Sequence, residues 1–146
     1  MRRYLVVANQ TLGGGNLARK VRECLREGPC FFYIVVPATP PRRQLTYTDG
    51  EATSIARRRL EAAIERFTEL GADAAGEVGD PRPLDAIRDA ILSASQDGGF
   101  DGVLLSTLPL GASRWLKMDL PARVRAEFGL PVTHLIGETE RSTRGP

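Results

Sequence analysis

The feature that most constrains this fold is a regular alternation between short apolar segments and longer amphipathic segments. Four strand-like segments lie at residues 3–8 (RYLVVA), 30–36 (CFFYIVV), 100–105 (FDGVLL) and 130–136 (LPVTHLI), and a weaker one lies at residues 72–78 (ADAAGEV). Continuous apolar runs of this length suit strands that are buried on both faces of a sheet. Strands that alternate with helices predict the α/β class, here a single-domain open five-stranded parallel sheet with helices on both faces.

Four helices are predicted between these strands, at residues 16–27, 51–70, 80–97 and 119–128. The side chains of Asn16, Asp80 and Asp119 are suitable N-caps for the first, third and fourth of them, and Pro81 would follow Asp80 at the first helical position. Three arginines on the second helix, residues 57–59, fall between its apolar positions, so we expect them to be mostly solvated.

Length and composition place the chain among ordinary globular proteins. With 146 residues, 42% apolar and 26% charged, it suits one domain over residues 1–138 with a polar tail at 139–146. A net charge of +2 does not favour a nucleic-acid partner. The sequence has no apolar run of membrane-spanning length and no signal-peptide cleavage site, so we expect the cytoplasm and no membrane partner. The Pro-rich connection at residues 37–50 is long enough to suggest a mobile, functional or interface segment.

The two cysteines, Cys24 and Cys30, lack the spacing of a metal site. Buried thiols in a reducing compartment are the favoured interpretation, and a disulfide between them is the alternative.

Residues 103–131 contain the arrangement that bears most directly on function. A buried strand ends in the hydroxyls of Ser106 and Thr107, a loop with Pro109 and Gly111 follows, and Asp119 begins a helix. Ligands of open α/β sheets bind outside the carboxyl ends of strands, and free N–H groups at a helix start attract anions. A ligand site is therefore expected here.

Most of the chain, residues 3–136, resembles the universal stress protein family. The resemblance rests on the LVVAN strand, on FYIVVP with its long loop and helix, on the Gly-Asp-Pro turn at residues 79–81, on FDGVLL, and on the closing GLPVT. It implies a Rossmann-like, adenine nucleotide alpha hydrolase-like sheet in the order 3-2-1-4-5. It also implies a homodimer formed through the last strand, at Val132, His134 and Ile136.

Many members of that family bind ATP through the motif G-x-x-G-x9-G-[ST] after the fourth strand. In this chain Ser106 and Pro109 stand near the first two glycines, and Met118-Asp119 stands near Gly-[ST], with a spacing one residue short. Pro109 lacks an N–H donor, and the Asp119 carboxylate would occupy the helix start that a phosphate needs. The first-strand Asp that reads the adenosine end in the family is here Asn9.

Other features allow a functional and a structural interpretation. Residues 13–15 (GGG) would cradle a phosphate or form a flexible loop. The Arg114, Trp115 and Lys117 side chains would clamp an anion or stack on a base. Alternatively, Trp115 and Leu116 would cover the top of the sheet or a dimer contact. His134 is interpreted as a packed or interface residue in preference to a catalytic or metal-binding one.

Three functions are compatible with this pattern. The first is a non-catalytic, homodimeric, universal-stress-like binding or regulatory protein. It lacks the phosphate-binding glycines, has no cofactor, and has an unidentified protein or small molecule as its partner. The second is a nucleotide-binding (ATP or AMP) stress protein with a rebuilt loop. Its candidate site residues are Ala8, Asn9, Val35, Ser106, Thr107, Gly111, Ser113, Arg114, Lys117 and Leu120. An enzyme has the least support, because no acid–base or nucleophile constellation can be assembled.

Overall fold

A computed structural model describes residues 1–39 and 49–137 of the chain. Its five strands are β1 (Arg2–Val7), β2 (Cys30–Pro37), β3 (Asp73–Gly79), β4 (Gly102–Thr107) and β5 (Val132–Ile136). All neighbouring strands pair in parallel, in the order β3-β2-β1-β4-β5. This architecture confirms the predicted fold class and the order 3-2-1-4-5.

Five helices connect the strands. They are α1 (Gly15–Arg26), α2 (Asp49–Glu69), α3 (Pro83–Ala94), α4 (Arg114–Lys117) and α5 (Leu120–Phe128), and a 3-10 turn at Ser95–Asp97 follows α3. The single-turn helix α4 has no counterpart in the prediction, since four residues are too few to show a helical period.

The sheet separates two apolar cores. On one face, Phe32 and Leu104 pack with Val21 of α1 and Phe67 of α2. On the other face, residues of β1 and β4 pack with α3 and α5, as Leu5 does with Ile87 and Val124. Successive strand residues point to opposite faces, and both faces are apolar, which explains the continuous apolar runs in the sequence.

The weak pattern of β3 has a steric cause at Gly76. A Cβ at this position would lie 2.2 Å from the carbonyl oxygen of Ile34 and 2.6 Å from Cδ1 of Leu60. Only glycine lets β2 and α2 approach β3 so closely. Small residues therefore form this strand without the β-branched composition by which strands are recognised in a sequence.

The predicted helix starts need correction. Gly14 is the N-cap of α1, and Asn16 instead lies in its first turn and donates its amide Nδ2 to the carbonyl of Ile136 at 2.5 Å. Arg82 is the N-cap of α3 and Pro83 follows it, while the Asp80 carboxylate accepts the Arg82 backbone N–H at 2.8 Å. Asp80 thus closes a turn before the helix, a use of Asp that competes with capping.

Both cysteines are free, buried thiols, so the disulfide alternative is wrong. Burial raises the pKa of each thiol above its ordinary value, which makes both poor nucleophiles.

Two predicted segments fall wholly or largely outside the described residues. These are the long connection, of which residues 40–48 are not described, and the polar tail at 139–146. The division of the chain at residue 138 therefore stays a prediction. None of the helices in the described parts is long and apolar enough to cross a membrane.

Candidate functional site

A cleft opens at the carboxyl ends of β1 and β4, where the connections leave the sheet toward opposite faces. This is the switch point at which open α/β sheets bind ligands. The cleft encloses about 450 Å³, including the part open to solvent. Its walls come from the ends of β1, β2 and β4 and from α4, and its lining residues are Asn9, Gln10, Thr11, Thr39, Ser106, Thr107, Leu108, Ala112, Ser113, Arg114 and Trp115.

The floor of the cleft is a set of hydroxyl groups that are paired with protein atoms. Thr11 Oγ1 lies 2.6 Å from Ser106 Oγ, and both residues are 2% exposed or less. Thr107 Oγ1 lies 2.8 Å from Nε2 of His134 and 2.9 Å from the carbonyl of Leu108. Among the described residues, every buried side-chain nitrogen or oxygen has a hydrogen-bond partner. The floor is therefore satisfied without a ligand.

His134 of the edge strand β5 is connected to the cleft through its hydrogen bond with Thr107. Its ring is half-buried, and desolvation, with a smaller contribution from the Arg125 charge, lowers its pKa below the ordinary value. The neutral ring is therefore favoured at pH 7. This placement fits the packed or interface interpretation of His134.

Asn9 is held on both ends of its side-chain amide. Its Nδ2 donates to the carbonyl of Pro37 at 2.8 Å, and its Oδ1 accepts from Nη1 of Arg59 at 2.6 Å. The three arginines at residues 57–59 were expected to be mostly solvated. Arg57 and Arg58 are exposed as expected, whereas Arg59 is half-buried. The signal was present in the spacing, since residues 56, 59, 60 and 63 share one helical face.

The loop after β4 is closed by α4. Ser113 caps this turn, and its Oγ accepts the backbone N–H of Leu116 at 3.1 Å. Trp115 is 8% exposed and belongs to the core formed with α3 and α5. Its packing interpretation is confirmed, although one side of the residue also lines the cleft.

No family model matches this sequence, and no curated protein matches it. The structure is similar to that of a universal stress protein from Archaeoglobus fulgidus, with a TM-score of 0.58, 15% identity, and coverage of 92% of this chain and 93% of that one. A protein of the universal stress protein family from Burkholderia pseudomallei gives a TM-score of 0.50 at 15% identity, covering 91% of this chain and 94% of that one. The chain has the universal stress protein fold.

The loop after β4 ends at Asp119, whose backbone conformation is unusual. Its φ of 58° is the only positive φ of a non-glycine residue in the described parts of the chain. Such a conformation favours glycine. With Asp119 at the third glycine, Pro109 and Ser106 fall at the second and first with the spacing of the motif unchanged. In this alignment no residue is missing from the spacing, and Leu120 takes the Ser or Thr position; the alignment with Met118 at the third glycine is one residue short.

Asp119 also does not act as the predicted capping side chain. It occupies the N-cap position of α5, but its carboxylate makes no capping hydrogen bond. The left-handed backbone is the physical reason, since a capping side chain needs an extended N-cap residue. The carboxylate is exposed at the start of α5 instead.

The cleft brings together half of the predicted site residues: Asn9, Ser106, Thr107, Ser113 and Arg114. The other five lie outside its lining. Ala8, Val35 and Leu120 are buried in the cores, and Gly111 and Lys117 are exposed. The carbonyl of Val35 accepts the Ala8 N–H at 3.4 Å, so this backbone group is already used within the sheet.

The sequence-based site omitted Gln10, Thr11 and Thr39, which also line the cleft, and Arg59, which holds Asn9. Thr11 follows the strand end by a few residues and could have been found by that position alone. Thr39 could not have been found in this way, because its position in the cleft depends on the path of the chain after the last apolar residue of β2.

Proposed function

We propose that this chain is a non-catalytic binding or regulatory protein of the universal stress type whose cleft does not hold the triphosphate of ATP. The observation that carries this proposal is the replacement of all four motif positions, by Ser106, Pro109, Asp119 and Leu120. The positive φ of Asp119, a conformation that favours glycine, supports its alignment with the third glycine of the motif.

Each replacement removes a feature that a phosphate uses. Pro109 has no N–H to donate. Leu120 is fully buried and has no hydroxyl, so its side chain cannot cap α5 beside a phosphate. Asp119 adds a negative charge at the helix start, which repels a phosphate bound there. Ser106 retains a hydroxyl, but that group is paired with Thr11.

The non-catalytic part of the proposal rests on Thr107 and His134. These two residues have the spacing of a nucleophile and its base. Thr107, however, is only 2% exposed, and its hydroxyl is also within hydrogen-bond distance of Leu108. In residues 1–39 and 49–137, no carboxylate contacts the His134 ring to orient it. The pair therefore lacks access and an orienting group.

A nucleotide binder with a rebuilt loop is the second candidate. The side chains of Arg114, Ser113 and Thr11 share the cleft with Asn9 and would suit one phosphate better than three. AMP is consequently a better ligand for this alternative than ATP.

For assembly, we propose that a second copy pairs with the edge strand β5. The Gly137 N–H and the Pro131 carbonyl bond to β4, so the backbone groups of Val132, His134 and Ile136 face outward. Ile136 is 48% exposed and apolar, which supports a covered edge. The Ile136 carbonyl already accepts a hydrogen bond from the Asn16 amide. Backbone pairing with a second copy would therefore centre on His134.

Thermal unfolding with millimolar nucleotide and Mg²⁺ separates the two candidates. A ligand at 100 times its dissociation constant adds about 2.7 kcal/mol, which is roughly 5–10 °C for a domain of this size. The proposal expects no shift with ATP or AMP. A shift with AMP that disappears in Arg114→Ala would establish the second candidate instead.

A further inference from the structure

A second groove lies at the opposite end of the sheet from the cleft. It encloses about 430 Å³, including open space, and the residues that matter in it are Arg3, Phe31, Tyr33, Ala94, Asp97 and Phe100. Arg3 and Phe31 stand near the amino ends of β1 and β2, and Phe100 precedes β4. The groove therefore shares no residue with the cleft at the carboxyl ends of β1 and β4.

Arg3 is held in a fixed orientation in this groove. Its Nε donates to the carbonyl of Gly99 at 2.9 Å, and its guanidinium carbon lies 4.7 Å from the Phe31 ring centroid and 5.8 Å from that of Phe100. Among the described residues, neither of its terminal nitrogens has a hydrogen-bond acceptor or an ion-pair partner. A stacked guanidinium with both terminal nitrogens available is suited to a bidentate contact with a carboxylate.

Asp97 supplies the opposite charge. It lies on the 3-10 turn after α3, is exposed, and its carboxylate makes no hydrogen bond or ion pair within the described parts of the chain. Arg3 and Asp97 line the same groove but are more than 4.0 Å apart, too far to pair with each other. A ligand that carries an anion and a cation close together can contact both.

The wall of the groove is aromatic and aliphatic. The Tyr33 ring centroid lies 6.4 Å from that of Phe31 and 6.3 Å from that of Phe100, with tilted ring planes. The Tyr33 hydroxyl donates to Oε1 of Glu77 at 2.5 Å, which fixes the ring. Ala94 of α3 adds a small apolar surface. A ring or a branched aliphatic group packs on such a wall.

We propose that this groove binds a free α-amino acid with an aromatic or large aliphatic side chain. Arg3 takes the α-carboxylate, Asp97 takes the α-ammonium, and the side chain packs on the rings of Phe31, Tyr33 and Phe100. Binding at this site does not depend on the function proposed for the cleft, because the two sites lie at opposite ends of the strands.

The test is a calorimetric or NMR titration of the full chain with L-phenylalanine, L-phenylalaninamide and N-acetyl-L-phenylalanine. The amide lacks the carboxylate and the acetyl compound lacks the ammonium. The expected result is saturable binding of the free amino acid, with each of the other two at least about tenfold weaker, a difference of roughly 1.4 kcal/mol.

Two variants test which group of the ligand each charged residue contacts, and a third variant serves as the control. Arg3→Gln should abolish the preference for the free amino acid over the amide, and Asp97→Asn should abolish its preference over the acetyl compound. Asp89→Asn, an exposed change elsewhere on α3, should bind as the unmodified chain does. If Arg3→Gln unfolds, judged by Trp115 fluorescence, the Asp97→Asn result still decides the matter. Absence of saturable binding, or equal binding of all three compounds, would overturn the proposal.

Discussion

Arg59 of α2 donates a hydrogen bond of 2.6 Å to Oδ1 of Asn9, at the end of β1. The contact joins a helix to the floor of the cleft across 50 residues of sequence. It also places a positive charge beside the Asn9 amide, whose Nδ2 is already bonded to the carbonyl of Pro37. Both ends of the Asn9 side-chain amide are thus hydrogen-bonded to protein groups and do not need a ligand as a partner.

Replacing Arg59 should destabilise the chain much more than replacing its neighbour on the same helix. A hydrogen bond from a charged donor is worth about 1.5–3 kcal/mol, so Arg59→Ala should lower the free energy of unfolding by that amount. Arg58 is exposed, and Arg58→Ala should change it by about 0.5 kcal/mol or less. Urea unfolding measures both variants. Equal stability of the two would show that the Arg59–Asn9 contact is absent in solution.

The effect of substitutions at Asp119 on stability should reflect its left-handed backbone conformation. A β-branched side chain with φ near 58° is strained, so Asp119→Val should cost about 1–2 kcal/mol, whereas Asp119→Gly should be at least as stable as the unmodified chain. Thermal and urea unfolding of the two variants provide the comparison. A Val variant as stable as the Gly variant would contradict the backbone conformation that supports the alignment of Asp119 with the third glycine.

Acidification should reveal the burial of His134. Its folded pKa lies below the ordinary value of 6.5, so between these two values the unfolded chain binds more protons than the folded chain. Stability from this group is therefore fully present above pH 6.5 and is lost as the pH falls through the lower, folded pKa. His134→Gln does not titrate, and its amide is still able to pair with Thr107. Its unfolding free energy should fall less between about pH 7.5 and pH 5 than that of the unmodified chain. Identical slopes would rule out this contribution.

Removing the hydrogen bond from Asn16 to the Ile136 carbonyl should strengthen self-association if β5 is the interface. Asn16→Ala leaves the Ile136 carbonyl free to accept an N–H from a second copy, so the dimer dissociation constant should fall several-fold. Arg22→Ala, an exposed change on the same helix, is the control. Sedimentation equilibrium provides the measurement. Monomers alone at high concentration in both the unmodified chain and the Asn16 variant would refute the dimer.

The strands, the helices and the parallel sheet could be predicted from local patterns in the sequence, whereas the strand order was implied by the resemblance to the universal stress proteins. Each strand except β3 is an apolar run, and each long helix shows the helical period. The helix starts at Asn16 and Asp80 could not be predicted, because these side chains have other partners available. Asn16 bonds to Ile136 on a distant strand, and Asp80 bonds within its own turn.

The cleft was predictable only in part, for the same reason. Residues that immediately follow β1 and β4 were found because strand ends define the crevice. Thr39 and Arg59 were missed, because they reach the cleft through the packing of β2 and α2, which no local pattern records. The conformation of Asp119 was also hidden, since a positive φ leaves no mark on a sequence unless the residue is glycine.

The central claim is that Pro109 and Asp119 prevent triphosphate binding in the cleft, and one titration tests it directly. ATP-Mg²⁺ is titrated calorimetrically into the unmodified chain and into the double variant Pro109→Gly/Asp119→Gly, both changes being at exposed positions. The account predicts no measurable binding to the unmodified chain at millimolar ATP, and measurable binding to the double variant. Tight binding of ATP to the unmodified chain would contradict it.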